Sequence, residues 1–137
     1  MEMNLDLIKY NDRIIAFDFK SEVVNATDMM KGFQEKKMNN FLRQKQTKEF
    51  IKVLEKSDTL ISVLTDNKAV IVKYGGVNHG TWMHRLLAFK FAAWLSPEFE
   101  LFIYKTFDES IKNKLRQQQS QLDYFWDKED QNDLYKR

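Results

Sequence analysis

The hydrophobic positions of residues 80–107, the most apolar and aromatic stretch of the chain, recur every three or four residues. This spacing predicts two consecutive helices that each bury one face. The predicted buried positions are Leu87, Phe91, Trp94 and Leu95 in the first helix and Phe99, Phe102, Ile103 and Phe107 in the second. Ser96 and Pro97 separate the helices, because serine caps a helix N-terminus and proline suits the first helical position. Aromatic residues could also line a ligand pocket, but their helical spacing favours packing.

Two β-hairpins are predicted from alternating or β-prone segments. The first joins a segment ending at Tyr10 to a strand over residues 13–19, with its turn at Asn11 and Asp12. The second joins residues 69–74 to residues 81–83, and its tip holds three of the four glycines in the chain. We expect at least one of the tip glycines to have a positive φ, since only glycine adopts that conformation cheaply.

Between the hairpins, helix-start and helix-face patterns predict three short helices. Asn25 or Thr27 would cap a helix over residues 27–33, with Gly32 at its C-terminal end. A basic helix over residues 36–45 follows, and Thr47 would cap the next one. The inward positions of these last two helices are Met38, Phe41, Leu42, Phe50, Ile51 and Leu54. Residues 60–64 fit a helical turn or a strand equally well.

Basic residues are concentrated in residues 36–48, although the whole chain has a formal net charge of only +2. This segment contains five basic residues and no acid, a local charge of +5: Lys36, Lys37, Arg43, Lys45 and Lys48. Residues 121–137 contain five acids against three bases, a local charge of −2. Concentrated positive charge fits contact with a polyanionic partner, and it also fits an ordinary solvated helix face.

The residue types that catalysis, metal binding and membrane insertion require are sparse. The chain has no cysteine, and His79 and His84 lack the carboxylate spacing of a helical zinc motif. No phosphate-binding loop is present, and no histidine neighbours Ser57 or Ser96 to activate them. The sequence also lacks the run of about 18 uncharged apolar residues that a membrane span needs. We therefore expect no enzyme, no cofactor, no metal and a cytoplasmic location.

The basic segment and the glycine-rich hairpin offer the residue types that contact DNA. Side chains with amide or guanidinium groups can contact base edges in the major groove: Asn39, Asn40, Arg43 and Gln44. Flanking lysines can neutralise phosphates: Lys36, Lys37, Lys45 and Lys48. On the hairpin, the candidate contacts are Lys73, Asn78 and His79.

Several blocks, in this order along the chain, resemble the KilA-N domain. They are Val24–Met29, Asn39–Arg43, Thr47–Ile51, Gly75-Gly76 and Gly80–Phe99, of which the Asn-Ala-Thr and Gly-Thr-Trp-x-His motifs are the most specific. KilA-N is a module of bacteriophages, prophages and large DNA viruses, and it is similar to the APSES DNA-binding domain of fungal transcription factors. The resemblance spans about residues 10–109. One departure is Arg85, where members often have proline or a small residue.

The resemblance implies a compact α+β DNA-binding domain of winged helix–turn–helix character, with β-hairpins and about four to five helices. We expect this domain at residues 1–109 and a polar helical extension at residues 110–137, whose end would be a separate short helix or a frayed tail. The resemblance implies double-stranded DNA as the partner and a bacterial host cell as the location. Two roles stay open. One is a phage- or prophage-encoded transcriptional regulator, and the other is an antirepressor that acts through protein contact or self-association.

Overall fold

The computed structural model describes the backbone of residues 5–18, 20–57 and 65–136 and the side chains of these ranges up to residue 127. The predictions for Phe19 and for residues 60–64 lie outside the described residues. The strands are β1 (Leu5–Tyr10), β2 (Arg13–Asp18), β3 (Val23–Asn25), β4 (Val70–Lys73) and β5 (Gly80–His84). The helices are α1 (Ala26–Met30), α2 (Met38–Leu42), α3 (Lys45–Lys56), α4 (Arg85–Leu95) and α5 (Pro97–Lys136).

The described strands form an antiparallel sheet in the order β1-β2-β3-β5-β4. Both predicted hairpins are present, as β1–β2 and β4–β5. The short strand β3 lies between them and pairs with β5 through Val24↔Met83 and Asn25↔Trp82. The sheet and its helices confirm the predicted α+β class.

The core of residues 1–102 follows the predicted helical faces in part. Trp82, Phe91 and Phe99 are fully buried, as predicted. Trp94 and Phe102 also lie on the predicted inward faces, but they are less completely covered than these three residues. A helical repeat identifies the inward face of a helix, but it does not show how far the neighbouring elements cover that face.

Arg13 shows why the first hairpin and the end of α1 fit together. Its guanidinium lies 5.1, 4.9 and 5.6 Å from the ring centroids of Tyr10, Phe33 and Phe99. Gly32 follows α1 with a φ of +94°, and a Cβ at this position would lie 3.0 Å from the Arg13 guanidinium carbon. Gly32 therefore provides both the backbone conformation and the space for Arg13.

Helix boundaries between residues 25 and 57 differ from the prediction. Helix α1 ends at Met30 rather than residue 33, and α2 is limited to five residues. Thr47 is buried inside the first turn of α3 and does not cap it. Gln44 holds the N-cap position without a side-chain hydrogen bond. Helix α3 thus begins two residues before Thr47, the residue best suited to cap it. The turn that connects α2 to α3, and not a side-chain cap, determines where the helix begins.

Helix α5 runs without a break from Pro97 to Lys136. Its start is as predicted, since the Ser96 hydroxyl oxygen accepts a hydrogen bond from the Phe99 amide at 3.0 Å. The prediction of a separate helix or frayed end after residue 123 is wrong. The chain divides into two compact units, residues 1–102 and residues 103–137. A functional boundary at residue 109 stays a prediction.

Candidate DNA interface

The corner between α2 and α3 brings the predicted base-contacting residues together. Backbone hydrogen bonds close it, because the Arg43 amide donates to the Asn39 carbonyl at 3.0 Å and the Gln44 amide to the Phe41 carbonyl at 3.2 Å. The Gln44 carbonyl then accepts from the Lys48 amide at 3.0 Å. Two helices thus meet with only Arg43 and Gln44 between them.

One aromatic side chain anchors this corner. Phe41 is buried, and its ring centroid lies 5.0 Å from that of Phe91 and 5.7 Å from that of Trp94, both on α4. The predicted inward positions Met38 and Leu42 are partly exposed. The polar positions of the corner are exposed: Lys37, Asn39, Asn40, Arg43 and Gln44. The corner therefore presents amide and guanidinium groups outward from a fixed base.

Helix α3 carries a row of exposed lysines. Thr47 and Leu54 lie on its buried side, so the opposite side faces solvent. That side presents lysines at steps of three and four residues, the spacing of one helical face: Lys45, Lys48, Lys52 and Lys56. The exposed acid Glu49, four residues after Lys45 and three before Lys52, lies on the same side of the helix. Sequence reasoning did not include Lys52 and Lys56, although their spacing from Lys48 was the signal that could have found them.

Lys36 has an intramolecular role. Its ammonium donates a hydrogen bond to the Trp94 carbonyl and lies 5.0 Å from the Trp94 ring centroid. The carbonyls in the last turn of a helix lack helical partners, and a cation there also opposes the negative end of the helix dipole. Lys36 thus stabilises the end of α4, and this contact accounts for its position.

The β4–β5 hairpin ends in an exposed tip at residues 74–79. Gly75 and Gly76 have φ angles of +70° and +79°, as expected for glycines at a bend. Tyr74 and Val77 are 92% and 97% exposed, so neither contributes to the core. Sequence reasoning missed both, although two large apolar residues around a polar, glycine-rich tip are unusual enough to notice.

The base of this hairpin is held by Asn25, the first residue of the Asn-Ala-Thr motif. The Asn25 amide group donates to the His79 carbonyl at 3.2 Å. Its side-chain oxygen accepts from the Asp28 amide at 3.0 Å and so caps α1. One side chain therefore fixes both the start of a helix and the end of the hairpin tip.

Thr27 and Trp82 add two further contacts at the same place. The Thr27 hydroxyl oxygen accepts from the Thr81 amide at 2.9 Å, and the Trp82 indole N–H donates to the Asn78 carbonyl at 2.9 Å. Gly80 has a φ of +124°, and a Cβ there would lie 2.8 Å from the Thr27 hydroxyl oxygen. The two sequence motifs thus contact each other, and we call this set of contacts the hairpin clamp.

The clamp determines which parts of Asn78 and His79 can reach a ligand. Their backbone carbonyls are occupied by Trp82 and Asn25. The His79 ring lies on the outside, with Nδ1 2.8 Å from the Gly76 carbonyl oxygen. His79 is exposed and Asn78 is partly buried. Their carbonyl oxygens are therefore engaged within the domain, while the exposed ring of His79 can contact a ligand.

Lys73, the remaining predicted contact, lies at the end of β4. Its ammonium is 5.4 Å from the ring centroid of Trp82. Burial lowers the pKa of Lys73, and the negative charge of Asp18 partly opposes this effect. Lys73 is therefore partly buried beside Trp82, in surroundings that on balance disfavour its charged form.

His84, the last residue of the Gly-Thr-Trp-x-His motif, is buried rather than exposed to a ligand. Its Nδ1 accepts from the Leu86 amide at 3.1 Å and caps α4. Its Nε2 lies 3.8 Å from the Glu22 carboxylate. Like Asn25, it connects a strand of the sheet to the helix that follows.

No metal-binding cluster of three or more histidine, aspartate or glutamate side chains occurs in the part of the chain that the structure describes. Within the same part, no helix has both the length and the apolar composition that a membrane span requires.

An α+β domain with a basic helical corner and a glycine-tipped hairpin has the parts of a DNA-binding module. Comparison with family models agrees, because the KilA-N domain matches residues 8–113. The chain belongs to the KilA-N domain family, which consists of DNA-binding modules and is not an enzyme family. No curated protein and no solved structure matches the chain.

The clamp predicts that Gly80 cannot be replaced at low cost. We expect Gly80→Ala to lower the free energy of unfolding by about 2–4 kcal/mol, since steric overlap with Thr27 adds to backbone strain of order 1–3 kcal/mol. Gly75→Ala is the matched control, because Gly75 also has a positive φ but no atom lies within 4 Å of its added Cβ. Urea denaturation measures both, and equal losses would contradict the clamp.

Asn25→Asp separates the two functions of Asn25. Aspartate caps a helix as well as asparagine, so α1 keeps its cap. It cannot donate to the His79 carbonyl, and its carboxylate would repel that oxygen. We expect faster hydrogen exchange at the amides of residues 78–81, with unchanged exchange in α4. Exchange in the hairpin that matches the wild type would show that the Asn25–His79 bond does not hold it.

Proposed function

We propose that the chain binds double-stranded DNA through the exposed side of the α2–α3 corner. In this proposal it acts as a phage- or prophage-encoded transcriptional regulator in the cytoplasm of a bacterial host. The observation that carries the proposal is the lysine row of α3, which continues from exposed amide and guanidinium groups in the corner. Phosphate neutralisation and base contact need these two sets of groups next to each other.

The corner residues suit contact with base edges. Arg43 can donate two parallel hydrogen bonds to a guanine, and Asn39, Asn40 or Gln44 can pair with an adenine in the same bidentate manner. Their backbone is fixed by the hydrogen bonds of the corner and by the burial of Phe41. Fixed donors lose little conformational freedom on binding, which favours discrimination between sequences.

Phosphate contacts are assigned to Lys37, Lys45, Lys48 and Lys52. All four are exposed. Lys36 is omitted, because its ammonium already serves the C-terminal end of α4. Each phosphate that a lysine neutralises releases condensed counterions, so binding should weaken steeply as salt concentration rises.

The β4–β5 hairpin completes the proposal as a wing. Gly75 and Gly76 have nothing within 4 Å of an added Cβ, so the tip is open to a large ligand. Tyr74 and Val77 can contact sugar or base edges in the minor groove, where apolar side chains often insert. Three polar residues flank them in the chain, Lys73 before Tyr74 and Asn78 and His79 after Val77.

The same exposed Tyr74 and Val77 favour one alternative, an antirepressor that binds a protein partner through the hairpin tip. Large aromatic and apolar side chains at an exposed site are common in protein interfaces. The salt dependence of binding distinguishes the two functions, since only contact with several phosphates produces a steep slope.

Loss of one row lysine should weaken binding to every DNA sequence and flatten the salt slope. We expect Lys48→Ala and Lys52→Ala each to reduce the slope of log K against log salt by about one. Lys9→Ala is the matched control, because Lys9 is an exposed lysine on β1. Fluorescence anisotropy on labelled duplexes at several salt concentrations measures the slopes. If Lys9→Ala and the row variants behave alike, the row does not form the interface.

Loss of Arg43 should affect preferred sequences only. We expect Arg43→Ala to cost about 1–3 kcal/mol on a duplex selected from a random pool and much less on unselected DNA. Arg43→Lys keeps the charge but loses the bidentate geometry. Compared with Arg43→Ala, it should therefore regain affinity for random DNA without regaining the preference for the selected duplex. Absence of duplex binding by the wild type at low salt would overturn the DNA proposal in favour of the protein partner.

A further inference from the structure

The unit of residues 103–137 is part of a single helix, and one side of it is apolar and exposed. Ile111, Leu115, Leu122 and Phe125 are 49–57% exposed, a high fraction for side chains of this type. A shallow depression lies between Leu115 and Leu122 and is lined by Gln118. A helical stripe of this kind stabilises a protein when a second surface covers it.

The stripe has the spacing of a coiled coil. From Tyr104 its positions are separated alternately by four and three residues: Tyr104, Asp108, Ile111, Leu115, Gln118, Leu122 and Phe125. This alternation keeps one seam facing a partner helix along several turns. The only polar members of the stripe are Asp108 and Gln118.

We propose that this stripe is a homodimer interface, in which α5 pairs in antiparallel orientation with α5 of a second copy of the chain. The pairing is centred between Ile111 and Leu115, so that each of these residues faces the other in the second copy. In the same register Tyr104 faces Leu122 of the second copy. The proposal does not depend on DNA binding.

The two polar positions select this register. In the antiparallel pairing Asp108 faces Gln118 of the second copy, and the amide can donate to the carboxylate. A parallel pairing would instead place Asp108 against Asp108 of the second copy, with two like charges in one seam. Polar residues at seam positions are known to fix the register of coiled coils in this way.

The charges of the helix favour the same orientation. Residues 103–116 carry four bases and two acids, a charge of +2, whereas residues 117–127 carry two acids and no base, a charge of −2. Antiparallel pairing brings the acidic Asp123 towards Lys105 of the second copy. A parallel pairing would instead place the basic segments of the two helices beside each other, and likewise the acidic segments. Lys112, near the centre, is already balanced by Asp108 at 3.0 Å.

Light scattering after size exclusion tests the dimer on the full chain. We expect twice the monomer mass of 16.5 kDa for the wild type. Leu115→Asp should halve the mass, whereas Ser120→Asp, which adds the same charge on the opposite side of the helix, should leave it unchanged. Circular dichroism of both variants confirms that the sheet domain is folded. A wild type that stays monomeric at the highest soluble concentration, or a dimeric Leu115→Asp, would overturn the proposal.

Disulfide crosslinking tests the orientation, and the natural lack of cysteine makes it simple. A mixture of Asp108→Cys and Gln118→Cys chains should form the mixed disulfide on oxidation. Gln118→Cys alone should stay uncrosslinked, because its antiparallel partner is Asp108. Efficient crosslinking of Gln118→Cys to itself would show a parallel pair and would overturn the proposed register.

Discussion

The pairing of β3 with β5 is the contact on which the rest of the domain depends. Without it the sheet would divide into a three-stranded part, β1-β2-β3, and the separate hairpin β4–β5. An isolated two-stranded hairpin is at best marginally stable in water. Only three residue pairs make this connection, Val23↔His84, Val24↔Met83 and Asn25↔Trp82. Side chains from the same two strands reinforce it. The Asn25 side chain donates a hydrogen bond to the His79 carbonyl at the hairpin tip, and the His84 ring accepts one from the Leu86 amide in α4. The sheet, the first turns of two helices and the hairpin are thus fixed by one short segment.

The residues of the two most specific motifs of the resemblance, Asn-Ala-Thr and Gly-Thr-Trp-x-His, are therefore mainly structural. Asn25, Thr27 and Gly80 form the clamp, Trp82 fills the core and donates to the tip, and His84 begins α4. None of these residues is as exposed as Arg43 or Lys48. The two motifs therefore build the scaffold, while the corner and the hairpin tip provide the exposed surface.

Sequence reasoning predicted the parts of this fold that follow from local pattern. The hairpins at residues 11–12 and 75–80, the buried faces around Phe91 and Phe99, and the basic corner all follow from periodicity, glycine or charge. It was incomplete where contacts with residues distant in sequence determine the structure. Thr47 is a good capping residue but lies inside α3. The contact of Lys36 with the end of α4, a helix far away in sequence, has no local signal. Spacing places Trp94 on the inward face of α4, but it does not show how completely other residues cover its ring. The lysines of the row are visible in the sequence, but the side of the helix on which they lie follows only from where α3 begins.

The hairpin clamp also has a consequence for how the domain can change. It ends at residue 78, so nothing within the sheet depends on the side chains of Tyr74 and Val77, which are almost fully exposed. No contact of the clamp involves residues 74–77, so substitutions at Tyr74 and Val77 remove none of them. Loop tips of this kind tolerate variation with little loss of stability. The tip is therefore a segment whose side chains can change while the contacts that join the hairpin to α1 stay the same, and the two lie within six residues of chain.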